Sequence, residues 1–412
     1  MEMNEKLRQN AMTVVRESIR RVMPEAAVRR ALEGREFPGR VVVIAVGKAA
    51  WTMADAAVRS LARPVYRGVV ITKYGHSRGE IPGCRCYEAG HPVPDENSFA
   101  ATRQALAAVR DLEKEDTVLF LLSGGGSALF EDPLVSPEDL QDVTSKLLAC
   151  GADIVEMNTI RKRLSAVKGG RFAQLCAPGR VYSVILSDIV GDPVDSIASG
   201  PAYPDSSTCA QARAVVEKYG LRFSKAVMGR LNEETPKVLS NVETVITGSV
   251  RELCAAAADT CRALGYEARI LTADLNGEAR DAGVWLGDLA EEHAADGKKL
   301  AFIAGGETVV HLTGKGMGGR NQEIALSAAE RIAGLDNVCI FSVGSDGTDG
   351  PTDAAGGIVD GGTKERLEAL GISIPEVLSD NDAYHALAAA DGLIITGPTG
   401  TNVNDVSVAL IG

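Results

Sequence analysis

The chain has 412 residues, more than the roughly 250–300 at which a single hydrophobic core stops growing, so two domains are expected. Its 45% hydrophobic and 24% charged residues are typical of a globular protein and exclude a largely disordered chain. The formal net charge of −12 gives no overall attraction to nucleic acid or anionic lipid. Any bound anion must therefore be held by a local group of cations.

Nothing in the sequence predicts export or membrane insertion. The first ten residues lack the apolar core of a signal peptide, and apolar stretches such as 118–122 are far shorter than the roughly 20 residues of a membrane span. The 8 cysteines are dispersed without a C-x-x-C pair, as expected in a reducing compartment. We therefore expect a cytoplasmic protein with small-molecule partners and with neither a nucleic-acid nor a membrane partner. A homodimer stays open.

The pattern of apolar residues predicts an α/β fold. Residues 5–32 carry an apolar stripe with helical spacing, which Pro24 divides into two helices. Further along, short β-branched runs alternate with helix-like segments, which is typical of parallel sheets with helices on both faces. The polar segment 232–241 is interpreted as a linker, giving domains 1–238 and 239–412. Strands are predicted at 41–46, 68–72, 117–123, 181–187, 242–247, 268–272, 300–304, 308–312, 338–343, 393–396 and 403–410.

Two polar segments directly follow predicted strands, where ligands of parallel α/β sheets bind. Lys48 follows the first strand at a helix N-terminus, a place that attracts anions. The run Ser123, Gly124, Gly125, Gly126 and Ser127 follows the third strand, and its glycines allow backbone N–H groups to converge on an anion. A solvated lysine and a simple tight turn are the alternatives.

A basic stretch begins at Asn158. If the stretch is helical, Arg161, Lys168 and Arg171 share one face, because they are separated by near-whole numbers of turns. A cationic stripe in an acidic protein is a candidate phosphate or carboxylate site, and a solvated basic face is equally consistent with the spacing.

Aspartates follow two other predicted strands. Asp188 and Asp192 come after the strand at 181–187, and Asp346 follows the strand at 338–343. Such carboxylates suit either a general base or Mg²⁺, which needs one or two protein carboxylates together with phosphate and water oxygens. Asp-Gly sequences also occur simply as turns.

A glycine-rich segment with two cations follows Glu307. Gly314, Gly316 and Gly319 formally match the dinucleotide fingerprint G-x-G-x-x-G, but the acidic residue expected about 20 positions later is missing. The cations Lys315 and Arg320 favour phosphoryl transfer instead, because arginine stabilises the charge of a transferring phosphoryl group.

Taken together, these segments resemble the glycerate 2-kinases, and the matching motifs follow one another along nearly the whole chain. The resemblance rests on residues 46–49, 89–95, 123–129, 158–170, 187–192, 199–201, 305–308, 318–323, 346–356 and 399–405.

The resemblance implies phosphorylation of the 2-hydroxyl of D-glycerate by ATP with Mg²⁺ or another divalent cation. It also implies a Rossmann-like N-terminal domain, a smaller α/β domain called MOFRL, and an active site in the cleft between them. The functional lysine and arginine of the family correspond to Lys48 and Arg320. Members are often labelled hydroxypyruvate reductase, and that oxidoreductase activity is the alternative function.

Within the kinase hypothesis, each candidate residue receives a role. Lys48 and Arg320 neutralise the phosphoryl group. Asp188 is the candidate catalytic carboxylate, and Asp192 and Asp346 are candidate metal ligands, although the sequence leaves open which of Asp188 and Asp192 is the base and which binds the metal. The substrate and its phosphate are expected to contact the loop Ser123–Ser127 together with Asn158, Arg161, Lys168, Glu307 and Asn321. Whether the last strands pack back on the first domain is left open.

Overall fold

The computed structural model describes residues 2–412 and contains two six-stranded sheets. The first sheet has the strand order β3-β2-β1-β4-β5-β6. Its pairings β3–β2, β2–β1, β1–β4 and β4–β5 are parallel, which confirms the predicted parallel N-terminal sheet. The strands are β1 (Val41–Val46), β2 (Arg67–Lys73), β3 (Cys84–Ala89), β4 (Thr117–Leu122), β5 (Arg180–Leu186) and β6 (Val242–Gly248).

This strand order is that of doubly wound nucleotide-binding sheets. The order reverses between β1 and β4, and the crevice beyond their carboxyl ends is where ligands bind in such sheets. The sheet therefore places the segments after Val46 and Leu122 side by side at its topological switch point.

The second sheet is mixed, with the order β11-β10-β9-β12-β8-β7. Only β7 and β8 are paired in parallel, whereas β12 is antiparallel to both β8 and β9. The expectation of a second parallel sheet is therefore wrong, although the α/β class is confirmed. The strands are β7 (Glu267–Leu275), β8 (Leu300–Gly306), β9 (Val338–Gly344), β10 (Gly356–Asp360), β11 (Leu393–Ile394) and β12 (Asp405–Ile411).

Helices cover the sheets, and within residues 2–412 none is long and apolar enough to cross a bilayer. Pro24 separates the first two, as predicted, by occupying the first position of the second. The helices are α1 (Glu2–Val22), α2 (Pro24–Leu32), α3 (Ala50–Ser60), α4 (Glu96–Ala108), α5 (Gly126–Leu129), α6 (Pro137–Ala149), α7 (Ile154–Arg161), α8 (Arg171–Leu175), α9 (Cys209–Lys218), α10 (Lys225–Arg230), α11 (Val250–Ala263), α12 (Ala279–His293), α13 (Arg320–Arg331), α14 (Thr363–Ala369), α15 (Ile374–Ser379) and α16 (Ala383–Ala389).

Alternation along the second sheet distributes its side chains between two cores. Ile303 and Phe341 pack in the core that contains α1 and α11, whereas their neighbours Phe302 and Ile340 pack in the core that contains α12 and α13. This two-residue period is the geometry of a strand with both faces covered.

The chain forms two compact units, each built from discontinuous stretches of sequence. The first unit comprises Val28–Leu186 and Asp192–Thr247, and the second comprises the residues up to Ala27, Ser187–Gly191 and Gly248–Gly412. The domain boundary at residues 238 and 239 stays a prediction. β6 nevertheless begins after that boundary and belongs to the first sheet, and β12 lies inside the second sheet.

Two local predictions are wrong. The segment 232–241 is not a free linker, because Thr235 is buried and donates a hydrogen bond of 2.7 Å to the buried carboxylate of Asp205. Residues 308–312 do not form a strand. Only one isolated bridge, between Val309 and Glu278, involves that segment, and the side chains of Val309 and Leu312 are exposed.

We expect Phe172→Ala to destabilise the first unit. Phe172 is fully buried and lies 4.8 Å from the ring of Phe120 and 5.2 Å from that of Phe130, measured between centroids. Removing a buried aromatic ring costs about 3–5 kcal/mol, because apolar contact is lost and a cavity remains. Urea unfolding followed by circular dichroism measures the loss.

Leu175→Ala is the matched control, because Leu175 belongs to the same helix and is exposed. Its unfolding free energy should stay within about 0.5 kcal/mol of the unchanged protein. Equal losses in the two variants would contradict the assignment of Phe172 to the core.

Candidate functional site

At the switch point of the first sheet, the loops after β1 and β4 are bonded to each other. The N–H of Lys48 donates to the carbonyl of Gly124 at 2.9 Å, and the N–H of Ala49 donates to Oγ of Ser123 at 3.1 Å. A Cβ at Gly47 would lie 2.2 Å from the same Oγ, so only glycine allows this approach. The two predicted segments therefore form one structure, which we call the switch-point site (Lys48, His91 and Ser123–Ser127).

Lys48, His91 and Gly125 meet at this site. Gly125 has a φ of 87°, and a Cβ there would lie 2.9 Å from Cδ2 of His91 and 3.4 Å from Cγ of Lys48. The side chain of Lys48 is exposed. Burial, assisted by the positive charge of Lys48, lowers the pKa of His91. A neutral imidazole beside an exposed ammonium group suits the binding of an anion.

Asn158 is linked to the glycine-rich loop through a serine. Oγ of Ser199 donates to Oδ1 of Asn158 at 3.1 Å and lies 3.3 Å from Oγ of Ser127. Both Asn158 and Ser199 are buried. Asn158 therefore lies beside the glycine-rich loop and contacts protein groups there, and its predicted contact with substrate stays a prediction.

Lys168 is completely buried, and its ammonium group is held by protein acceptors. It forms an ion pair with Glu131 and donates to the carbonyls of Ser127 at 2.9 Å and Phe130 at 3.2 Å. Burial lowers the pKa of Lys168, opposed by the carboxylate of Glu131. Lys168 thus fixes the end of the glycine-rich loop, a geometry that does not suit the predicted direct contact with substrate.

The predicted single helical face of Arg161, Lys168 and Arg171 does not exist. α7 ends at Arg161, and Gly169 and Gly170, at φ values of 57° and 84°, interrupt the chain before α8. Arg161 still contributes charge here, because its cation lowers the pKa of Lys168. Its Nε is buried without a hydrogen-bond partner, which is costly unless a ligand supplies an acceptor.

The second unit holds a different cluster around Arg320, the first residue of α13. Nε of Arg320 donates to Oδ2 of Asp405 at 2.5 Å, and Nη2 donates to Oδ1 at 3.2 Å. The third nitrogen, Nη1, donates to Oε1 of Glu307 at 2.8 Å. This fork fixes the plane of the guanidinium group, and we call the cluster the Arg320 site (Asp188, Glu307, Arg320, Asn404 and Asp405).

Burial controls the electrostatics of Asp405. Despite the attraction of Arg320, burial raises the pKa of Asp405 to about 6. Burial is the largest single influence on Arg320 and opposes its charge. The hydrogen bonds that Arg320 donates to Asp405, together with the charges of Asp405, Glu307 and Asp349, nevertheless raise the pKa of the guanidinium group. Arg320 therefore stays charged, and the carboxylate that holds it titrates near neutrality.

Asn404 connects Asp188 to the rest of the Arg320 site. Its Nδ2 donates to the backbone carbonyl of Asp188 at 3.2 Å and to Oε2 of Glu307 at 3.1 Å. The predicted residues Asp188, Glu307 and Arg320 are therefore brought together in one unit. The proximity of Asp188 to the other two could not be read from residue numbers more than 100 positions apart.

Asn321 is buried beside Asp349, which caps α13. Oδ1 of Asp349 accepts from the backbone and side chain of Asn321 at 3.2 and 3.3 Å, and Oδ2 accepts from the N–H of Gln322 at 2.9 Å. Burial raises the pKa of Asp349. Asn321 therefore contacts protein groups rather than forming part of an open surface.

The same cap argues against dinucleotide binding by the G-x-G-x-x-G segment. A pyrophosphate would need the helix N–H groups that Asp349 already occupies. A Cβ at Gly314 would lie 2.2 Å from the carbonyl oxygen of Asp380, and one at Gly316 would lie 2.4 Å from Cβ of Asp382. These glycines permit close packing against another loop, and they do not line an open cradle.

The two candidate metal ligands lie in different units. Asp346, in the second, accepts the N–H of Thr348 at 3.0 Å, and Asp192, in the first, has a φ of 54°. Among residues 2–412 there is no group of three or more His, Cys, Asp or Glu side chains that could hold a metal ion. The assignment of Asp192 and Asp346 as metal ligands therefore stays a prediction.

Sequence reasoning assigned no role to Asp405, Asn404, Asp349 or Glu131. Asp405 stands directly before an apolar run, at the start of a strand. A carboxylate in that position was the only feature of the sequence that could have marked Asp405 as a functional residue. Glu131 carries no comparable signal, because its importance comes from a buried lysine 37 residues away.

Two known families match separate parts of the chain. Residues 10–232 match a family described as "Domain of unknown function (DUF4147)", and residues 300–405 match the MOFRL family.

Full-length relatives carry functional names. A protein of Thermotoga maritima named D-glycerate 2-kinase is 51% identical, with 99% of each chain covered. A glycerate 2-kinase of Pyrococcus horikoshii is 41% identical over 98% of this chain and 97% of the relative. A crystal structure of a glycerate kinase from Thermotoga maritima, 50% identical, covers 99% of this chain and 100% of that chain with a TM-score of 0.94. The chain therefore belongs to the glycerate 2-kinase family, as its motifs predicted.

Proposed function

We propose that this chain transfers the terminal phosphoryl group of ATP to the 2-hydroxyl of D-glycerate, giving 2-phospho-D-glycerate and ADP. The observation that carries the proposal is the 51% identity, over essentially the whole chain, to a D-glycerate 2-kinase. The switch-point site and the Arg320 site add cations and backbone donors, which a reaction between two anions requires.

The switch-point site is proposed to hold an anionic group of the substrates. Lys48 offers an exposed ammonium group, and the segment Ser123–Ser127 offers backbone N–H groups around the left-handed Gly125. After Lys48, Arg161 is the second candidate to bind the carboxylate of glycerate, because its buried Nε has no hydrogen-bond acceptor. Lys168 is reassigned as a positioning residue, since Glu131 and two carbonyls occupy its ammonium group.

Arg320 is proposed to stabilise charge on the transferring phosphoryl group. Asp405 and Glu307 hold the guanidinium plane, so little reorganisation is needed when charge develops. Asp188 is proposed as the base that accepts the proton of the 2-hydroxyl. In this scheme the substrate oxygen forms a bond to the γ-phosphorus, the bond from that phosphorus to the β-phosphate oxygen breaks, and ADP leaves.

Mg²⁺ is the proposed metal cofactor, with Asp346 as its protein ligand and Asp192 as the second candidate. When bound, the cation would neutralise part of the charge of the phosphates. Asp346 fits this use because a carboxylate that follows a strand end can share a hard cation with phosphate oxygens.

The cytosol is the proposed location, and small molecules are the proposed partners. All eight cysteines are free thiols, which suits a reducing compartment. The net charge of −12 disfavours binding to nucleic acid or anionic lipid. A homodimer is retained as a proposal.

The direct test is an assay of the purified protein with D-glycerate, ATP and Mg²⁺. We expect ADP to form together with a product that enolase converts without added mutase, because 2-phosphoglycerate is the direct substrate of enolase. Oxidation of NADH or NADPH by hydroxypyruvate, without ADP formation, would instead establish the reductase alternative.

Replacing either cation should lower kcat. We expect Lys48→Met and Arg320→Met each to reduce kcat about 10²–10³-fold, the usual effect of removing one electrostatic contact made in the transition state. Steady-state kinetics with both substrates measures the change.

Matched controls are Lys114→Met, an exposed lysine at the opposite end of the first sheet, and Arg331→Met, an exposed arginine in the last turn of α13. Both should keep kcat within twofold of the unchanged protein. A rise in KM without loss of kcat in Lys48→Met would show that Lys48 contributes only to ground-state binding.

The titration of Asp405 should appear in the pH profile. Because its pKa is raised to about 6, the carboxylate holds Arg320 above that pH and becomes neutral below it. We expect kcat/KM for ATP to fall as the pH drops through about 6. In Asp405→Asn this fall should be absent, because the activity should be low at every pH.

The pH dependence of stability tests the raised pKa of Asp405. A carboxyl whose pKa is raised in the folded state is favoured there as the neutral form, so its ionisation costs stability as the pH rises. The free energy of unfolding of the unchanged protein, relative to that of Asp405→Asn, should therefore decline as the pH rises through about 6. An identical pH dependence in the two proteins would contradict the raised pKa.

A further inference from the structure

A cavity of about 500 Å³ lies entirely within the second unit, beside Arg320. Its walls are formed by Asp188–Val190, Asp274–Asn276, Glu307–Val309 and Arg320. Two of these segments lie at the ends of β7 and β8, which are parallel to each other. The cavity thus occupies the position beyond the carboxyl ends of parallel strands where ligands bind in α/β sheets.

The chemistry of the walls does not suit a small anion. Asp188, Asp274 and Glu307 contribute three carboxylates, whereas Arg320 is the one cation among the lining residues. Two of the three nitrogens of Arg320 already contact Asp405, and the third contacts Glu307. Away from the edge formed by Asp188 and Arg320, the cavity therefore has no cation among its lining residues to hold an anion.

The walls do suit a neutral group with an apolar face and polar edges. Ile189, Val190, Leu275 and Val309 supply aliphatic surface, and Val309 is 52% exposed, without a covering partner in this unit. Thr308, which is only 3% exposed, has a buried Oγ1 that lacks any hydrogen-bond partner. An unsatisfied buried hydroxyl is costly, and a ligand that bonds to it would remove that cost.

The size of the cavity agrees with a ligand larger than glycerate. Pockets for ligands of nucleoside size typically have volumes of about 300–1,000 Å³, with apolar walls and a few polar groups. An acidic residue at the end of a parallel strand binds ribose hydroxyls in doubly wound sheets, and Asp274 lies near the end of β7, in the one parallel pair of this mixed sheet.

We propose that this cavity is the nucleoside subsite, in which the aliphatic walls contact adenine, Asp274 accepts hydrogen bonds from the ribose, and the phosphates extend toward Arg320. The inference rests on the proposed kinase function and adds the location of the neutral half of ATP. It also assigns functions to Val309 and Asp274, which the catalytic scheme leaves without one.

The test measures equilibrium binding of ADP, adenosine and tripolyphosphate by calorimetry, on the full chain. Val309→Asp adds a charge to an exposed wall of the cavity, so folding should be unaffected. We expect Val309→Asp to weaken the binding of ADP and of adenosine at least tenfold. The affinity for tripolyphosphate should stay within twofold of that of the unchanged protein. The KM for D-glycerate should also stay within twofold.

Leu312→Asp is the matched control, because Leu312 belongs to the same segment, is 82% exposed and does not line the cavity. It should leave every affinity within twofold. Asp274→Asn is the second variant, and it should weaken ADP several-fold without changing the affinity for tripolyphosphate.

Unchanged ADP affinity in both Val309→Asp and Asp274→Asn would overturn the proposal. A larger effect of Val309→Asp on tripolyphosphate or glycerate than on ADP would also overturn it, by assigning the cavity to an anion. Failure of the kinase function is distinguishable: the unchanged protein would then bind ADP with the predicted dependence on Val309 and yet form no phosphoglycerate. Conversely, if Val309→Asp turned over as a kinase with an unaltered KM for ATP, the kinase function would stand and the nucleoside subsite would be rejected.

Discussion

The fork between Arg320 and Asp405 joins a central strand of the second sheet to the start of a largely buried helix. Asp405 is the first residue of β12, and Arg320 is the first residue of α13. A guanidinium group held by two carboxylates has a fixed orientation, so its charge needs no reorganisation. Such positioning of charge is the main contribution of protein groups to phosphoryl transfer. The arrangement has an electrostatic cost, because burial disfavours the ionised form of Asp405. Positioning by a buried carboxylate therefore also brings sensitivity to pH.

A different constraint shapes the first unit, namely the close approach of two loops. Gly47 and Gly125 allow the segments after β1 and β4 to touch, and Lys168 supports the second segment from inside the core. Burial of the ion pair between Lys168 and Glu131 desolvates two charges, so a role in specifying loop geometry accounts for it better than a role in stability. One lysine thus serves the structure of the loop, whereas the other, Lys48, is exposed and is the one proposed to contact ligands.

Sequence reasoning identified the first sheet well because most of its strands are continuous apolar runs with glycine, serine or lysine close behind them. It could not tell parallel from antiparallel strands in the second sheet, since a strand covered on both faces has the same run of side chains in either direction. The position of β12 between β8 and β9 is therefore visible only in the fold.

The sequence identifies part of the candidate site, for a related reason. Residue type and position in the loops beyond predicted strands marked Lys48, Asp188 and Arg320, because these features depend on local sequence. What separates an available cation from a neutralised one is a partner distant in the chain. Glu131 neutralises Lys168, whereas nothing in the spacing of the basic stretch distinguishes Lys168 from Arg161.

The balance of charge around Arg320 limits which form of nucleotide the proposed site could bind. Arg320 is surrounded by the carboxylates of Asp405, Glu307 and Asp349, which lower the positive potential that a triphosphate would meet. A bare polyphosphate would approach more negative than positive groups, so affinity must come from elsewhere. In the proposed site, contacts with the neutral nucleoside and partial neutralisation of the phosphates by a divalent cation would supply it without adding cations to the protein. The acidic surroundings of Arg320 thus favour the proposal of a metal-complexed nucleotide over that of free phosphate.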